Sequence, residues 1–166
     1  MIFNLYKQRG ETPLECVQRF REKFTEYDEK KPLDSKTKWT YMGRLDPMAE
    51  GVLLVASGED VKRKEEFLDL DKEYEFVALF GLGTDTYDVL GRVERVTKLA
   101  SLDENEVRRV AGIYIGERDQ KYPPFSSRTV GGKPMHHWAR ENKLDEIEVP
   151  SKKITIHQNN IALLLT

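Results

Sequence analysis

Apolar and polar residues alternate through the opening MIFNLY, which predicts a first strand. After a polar break, Leu14, Val17, Phe20 and Phe24 recur at steps of three or four and predict an amphipathic helix with an inward face. Its start is written in Thr12-Pro13-Leu14-Glu15, with Thr as N-cap, Pro at the first helical position and Glu closing a capping box. The polar, proline-containing stretch 28–36 reads as a loop and Lys38–Tyr41 as a short strand. GVLLVAS (51–57) does not alternate, so it predicts a fully buried strand. Residues 60–70 predict a helix with Val61, Phe67, Leu68 and Leu70 turned inward.

In KEYEFVALF (72–80) the first half alternates, predicting a strand with Tyr74 and Phe76 on the same side. GLGTDTYDVLG (81–91) is a loop closed by glycine, and GRVERV leads to a second capping signature, Asp103 to Glu106, opening a helix through Val110. RDQKYPPFSS is an extended segment stiffened by prolines. PMHHWAREN is a short helix, and KKITIHQ with NIALLLT predicts a closing hairpin. Strands and helices interleave without strict βαβ order and without an internal repeat. The predicted fold is α+β, a mixed, largely antiparallel sheet with flanking helices.

Length and composition narrow the class. A chain of 166 residues, 39% apolar and 34% charged, suits one water-soluble domain with a real core. No window approaches the roughly 18 apolar residues of a membrane helix, and the first residues carry no apolar core of a secretory signal. The single cysteine, Cys16, has no partner for an internal disulfide. These features predict a cytoplasmic protein. A net charge of −2 does not announce a nucleic-acid binder, yet basic residues gather at 36–38 with Arg44, at 62–64, and at Arg128, Lys133, His136, His137 and Arg140. Each run alone is an ordinary solvated face, and folding would have to join them into a groove.

Familiar catalytic sets are missing. The adjacent His136 and His137 point about 100° apart at helical spacing, so no metal set is expected. There is no P-loop, no complete dinucleotide-binding glycine motif and no serine nucleophile elbow. What is left is the one aspartate of GRLDPMAEGVLLVASGE (43–59), in a Gly-Arg-Leu-Asp-Pro turn at the mouth of the most apolar segment. Alone, an Asp-Pro turn before a strand is ordinary turn chemistry.

That segment resembles the nucleophile motif of pseudouridine synthases. Four more segments resemble the TruB family, in the family's order: YKQRGETP, DKEYEF, GTDTYDVLG, and KYPPFSSRTVGGKPMHHWARE with PSKKITIH. The resemblance implies a pseudouridine synthase catalytic domain over 1–166, lacking the C-terminal part of the family domain and any RNA-binding extension. It implies Asp46 as catalytic nucleophile and Tyr74 as active-site tyrosine. By the same resemblance Tyr41 stands where the family has a stacking histidine, and Asp85 matches a loop residue near the RNA. Arg44, Arg128 and Lys133 are candidate RNA contacts. Gln8 replaces a proline and Gly83 replaces an arginine of the usual pattern.

The activity so implied is isomerisation of an RNA uridine to pseudouridine, with the tRNA T-loop as substrate. One ionised, partly desolvated carboxylate suffices, so no cofactor or metal is expected. The base must leave its stack and be received by aromatic rings, for which Tyr41 and Tyr74 are suited. The rival reading is a non-catalytic binder of an RNA stem-loop. A hydrolase built on Asp46 and Glu50 fares worse, because residues so close across a turn have no reason to flank a glycosidic bond. The apolar end, 161–166, is expected to leave an open strand edge through which the chain self-associates.

Overall fold

Thr12 and Glu15 close the expected capping box in the computed structural model, which describes residues 1–27, 36–98 and 101–162. Thr12 N–H donates to Glu15 Oε2 at 2.6 Å, and Glu15 N–H donates to Thr12 Oγ1 at 3.2 Å. The helix they start, α1, runs Pro13–Tyr27. It packs on a three-stranded antiparallel sheet made of β1 (Ile2–Lys7), β2 (Trp39–Met42) and β3 (Gly51–Ser57), in the order β1-β3-β2. Register sets the core. Phe3 lies opposite Val55, Leu5 opposite Leu53, and Tyr41 opposite Val55. Cys16 and Val17 of α1 close on that face, so Cys16, Val17, Leu53 and Val55 form a buried cluster. Phe3, Phe20, Phe24 and Trp39 extend it as a ring stack, with Phe3 and Trp39 stacked at 5.5 Å.

Several expectations shift in this part of the chain. Leu14 is exposed and Cys16 takes the inward position, because the helical stripe that faces the sheet runs through residues 16, 17, 20 and 24. β3 is not buried throughout: Val52 is exposed while Leu53, Val55, Ala56 and Ser57 are buried, since the sheet covers one face fully and the other partly. The predicted helix at 60–70 is a 3₁₀ helix, Gly58–Phe67, with Leu70 beyond it and exposed. The predicted strand at 72–80 has no ladder. Residues 71–79 carry no regular structure and every one is exposed. Alternation describes the two faces a strand would have, but a strand also needs a neighbour to receive its backbone bonds.

The chain divides into two compact units, Met1–Glu75 and Phe76–Thr166. In the second, β4 (Leu82–Thr84) pairs with β5 (Val93–Val96), and the polar β6 (Gly116–Lys121) pairs with β9 (Ser151–Ile156). A small hairpin joins β7 (Thr129–Val130) to β8 (Lys133–Pro134). Its two turn residues, Gly131 and Gly132, both have positive φ, 58° and 83°, the geometry that suits a two-residue hairpin. The helices are α2 (Glu104–Gly112) and α3 (Met135–Arg140). Asp103 caps α2 by accepting from Asn105 N–H, while Glu106, the other half of the expected signature, pairs with Arg109. Among the described residues the closing hairpin is not formed: β9 pairs with β6, and residues 157–162 carry no strand. The rest of the expected apolar edge, 163–166, lies outside the described residues. All strand pairings among the described residues are antiparallel, and helices accompany the sheets, giving an α+β architecture.

Candidate active site

The alternation that turns Phe3 and Leu5 inward along β1 turns Lys7 inward as well, and Lys7 is fully buried. Its ammonium has three N–H donors and finds three backbone carbonyls: Ala49 O at 2.6 Å, Gln8 O at 3.0 Å and Pro47 O at 3.3 Å. Two of these belong to the 43–50 turn. Gly10 N–H adds a bond to Pro47 O at 2.7 Å, and within the turn Ala49 N–H donates to Asp46 O at 3.0 Å. Arg9 pairs with Glu50 at 2.9 Å. The turn that carries Asp46 is therefore fastened from below by a buried cation and from the side by the loop after β1. Glycines with φ of 110° and 137°, Gly43 and Gly51, mark its two ends.

Asp46 itself is exposed. The partial desolvation expected of a reactive carboxylate is not supplied by this unit, because Leu45 turns onto the core cluster while the neighbouring Asp46 faces solvent. Glu50, on which a hydrolase reading would depend, is engaged with Arg9.

Tyr41 lies on β2 just before the turn, half-buried against the core cluster, with the Lys64 ammonium 5.9 Å from its ring centre. Arg44 and Asp46 are exposed on the turn. Tyr74 sits in the irregular stretch after the 3₁₀ helix and is 71% exposed. The basic run 62–64 is largely neutralised in place: Lys62 pairs with Glu59, and Arg63 with Asp60 and Glu66.

Asp85, Arg128 and Lys133 belong to the second unit. Asp85 closes its own loop, accepting from Arg92 N–H at 2.8 Å and pairing with Arg92 Nε at 3.4 Å. Gly91 is required there, since a Cβ would stand 2.3 Å from Thr86 Oγ1 and 2.7 Å from Asp85 Oδ1. The loop displays Tyr87, 75% exposed and at a φ of 64°. Arg128 lies 5.6 Å from the Tyr122 ring centre. Lys133 stacks its ammonium 3.9 Å from the Trp138 ring centre and pairs with Glu141 at 2.9 Å, while Trp138 Nε1–H donates to Val130 O at 3.0 Å. Two cation–ring pairs, Arg128 with Tyr122 and Lys133 with Trp138, thus stand within 122–138, residue types of the kind that meet bases and phosphates. No cluster of metal-ligating side chains occurs among the described residues, and no helix there is long and apolar enough to cross a membrane.

The motif reading did not single out Lys7, although it ends an alternating strand at an inward register position. That position was the available signal. It also missed the Gly131-Gly132 hairpin, for which two adjacent glycines between Val130 and Lys133 were the cue.

Residues 30–164 match the TruB family pseudouridylate synthase (N terminal domain). The chain is 31% identical over 151 residues to tRNA pseudouridine synthase B of Aquifex aeolicus, covering 91% of this chain and 48% of that protein. It is 34% identical over 158 residues to tRNA pseudouridine synthase B of Bacillus pumilus, covering 95% and 47%. Against tRNA pseudouridine synthase 4 of Saccharomyces cerevisiae the identity is 32% over 124 residues, covering 74% and 31%. The chain spans less than half the length of each of these relatives.

Proposed function

The chain belongs to the TruB family of pseudouridylate synthases, and we propose that it isomerises a uridine of tRNA to pseudouridine, with the T-loop uridine as substrate. The observation that carries this reading is the fastening of the Asp46 turn by Lys7: a lone carboxylate is displayed to solvent on a backbone that cannot easily move. Preorganisation of this kind serves chemistry better than it serves a structural turn. The relatives' names support the RNA class, and the two cation–ring pairs within 122–138 support recognition of a stem-loop.

The reaction balances without an added reagent. Asp46 acts at C1′ as the N1–C1′ bond breaks, the freed uracil turns, and a C5–C1′ bond forms. The proton on C5 is then lost and N1 is protonated, so the product is an isomer of the substrate. Asp46 needs its charge, and the bound RNA supplies the desolvation by covering the exposed turn. Tyr74 contributes a ring to receive the extruded base, and Tyr41, Arg44, Asp85, Arg128 and Lys133 contribute to RNA binding.

The test is incubation with a T-arm stem-loop, with pseudouridine detected chemically because mass is unchanged. Product from the parent and none from Asp46→Asn supports the reading. Salt-sensitive binding without product would make the chain an RNA-binding module, the rival from another class. Absence of binding at low salt would remove RNA as the partner.

A further inference from the structure

Lys7 is held on both sides by one ion pair. Arg19, on α1, donates through Nη2 to Tyr6 O at 3.1 Å, the carbonyl just before Lys7. Glu11 accepts from Gln8 N–H at 2.6 Å, the amide just after it. The two side chains meet in a two-pronged pair, Nη2 to Oε1 at 2.7 Å and Nε to Oε2 at 3.1 Å. Glu11 is 14% exposed there. From Arg19 and Glu11 the contacts run through Tyr6 and Gln8 to Lys7, and from Lys7 to Pro47 and Ala49, with no hydrogen bond longer than 3.3 Å.

We propose that the Glu11–Arg19 pair positions the Asp46 turn, acting through Lys7. The reason lies in residue 8. A proline there would stiffen the chain through its ring and would carry no N–H. Gln8 lacks the ring but has the N–H, and Glu11 captures it. A charge-assisted hydrogen bond thus does the work of a fixed φ, and Arg19 ties the arrangement to the helix. The effect on rate rests on the reading of Asp46 as nucleophile; the effect on the turn does not.

The experiment compares the parent with Glu11→Gln, Arg19→Gln and the double variant. Hydrogen exchange is followed at Ala49 N–H, which bonds to Asp46 O, and at Gly10 N–H, which bonds to Pro47 O. The expected result is exchange faster by about tenfold or more at both amides. Amides of the β1–β3 ladder should change by less than about twofold, and the double variant should be no worse than the singles. In parallel, the single-turnover rate on T-arm RNA should fall about tenfold with RNA affinity within about twofold of the parent. Unchanged exchange at Ala49 would overturn the proposal, as would ladder amides that accelerate equally. Faster exchange at the turn with an unaltered rate in an active parent would overturn its catalytic part. A parent that makes no product, with exchange as expected, would sink the enzymatic reading and leave the positioning intact.

Discussion

Lys7 and Ala49 are joined by a 2.6 Å hydrogen bond from a fully buried ammonium to a backbone carbonyl. Burying a cation is costly unless its donors are satisfied, and here three carbonyls satisfy them. Lys7→Met keeps the approximate volume, strips Ala49 O of its ammonium donor and leaves Pro47 O with Gly10 N–H alone. The expected loss of stability is about 2–4 kcal/mol, read from urea denaturation. Lys7→Arg should not rescue it, because the planar guanidinium has a different shape and no exposed path. A Met variant within about 0.5 kcal/mol of the parent would show that the carbonyls find water instead.

Asp46→Asn addresses the chemistry alone. The side chain is exposed, so the change in stability should stay within about 0.5 kcal/mol. Isomerisation should vanish while stem-loop affinity is retained. Turnover at a tenth of the parent rate or more would take the nucleophile role away from Asp46.

Tyr74 receives the extruded base in the proposed mechanism, and to its hydroxyl we assign a second, separable job, proton transfer. Since it is 71% exposed, Tyr74→Phe and Tyr74→Leu should both leave the fold untouched. The Phe variant should keep RNA affinity and lose most single-turnover rate, and the Leu variant should lose both. Equal rates for parent and Phe variant would reduce Tyr74 to a stacking ring.

Glu11 gives the chain an acid-sensitive contact. Hydrogen bonding to Arg19 holds its carboxyl at about 2, against an ordinary 4.5. The folded value lies below the unfolded one, so the stabilisation is present above about pH 4.5 and is lost as pH falls through about 2. Because Arg19 is 36% exposed, solvent screening leaves roughly 1–2 kcal/mol of it. The stability difference between parent and Glu11→Gln should therefore be full at pH 7 and shrink through the acid range. A difference as large at pH 2 as at pH 7 would contradict the assignment.

Local rules carried much of the fold. The capping box at Thr12 and Glu15 and the cap at Asp103 depend on neighbours a few residues away, and the strands 2–7 and 51–57 show in their own apolar pattern, though not in their pairing. What could not be read is pairing at a distance. The charged GERDQK of β6 shows no apolar alternation, and it becomes a strand only because Ser151–Ile156 lies beside it. KEYEFVALF has the pattern but no adjacent strand, and it stays irregular. The site divides in the same way. Asp46 is a candidate on its motif alone, and Lys7 was missed although its inward register was a signal, whereas the Glu11–Arg19 pair spans a turn and two helical turns, and no periodicity announces it.

The open stretch at 71–79 has a practical consequence. Tyr74, Phe76, Leu79 and, just beyond, Phe80 are exposed on backbone that carries no helix or ladder bonds to resist a protease. In the first unit, Phe3, Phe20 and Trp39 are interlocked in a ring stack and offer no such access. An enzyme that cuts after large apolar side chains should thus open the chain first between Tyr74 and Phe80, near the border of the two units. Protection of those bonds by added RNA would then report substrate binding without any catalytic readout.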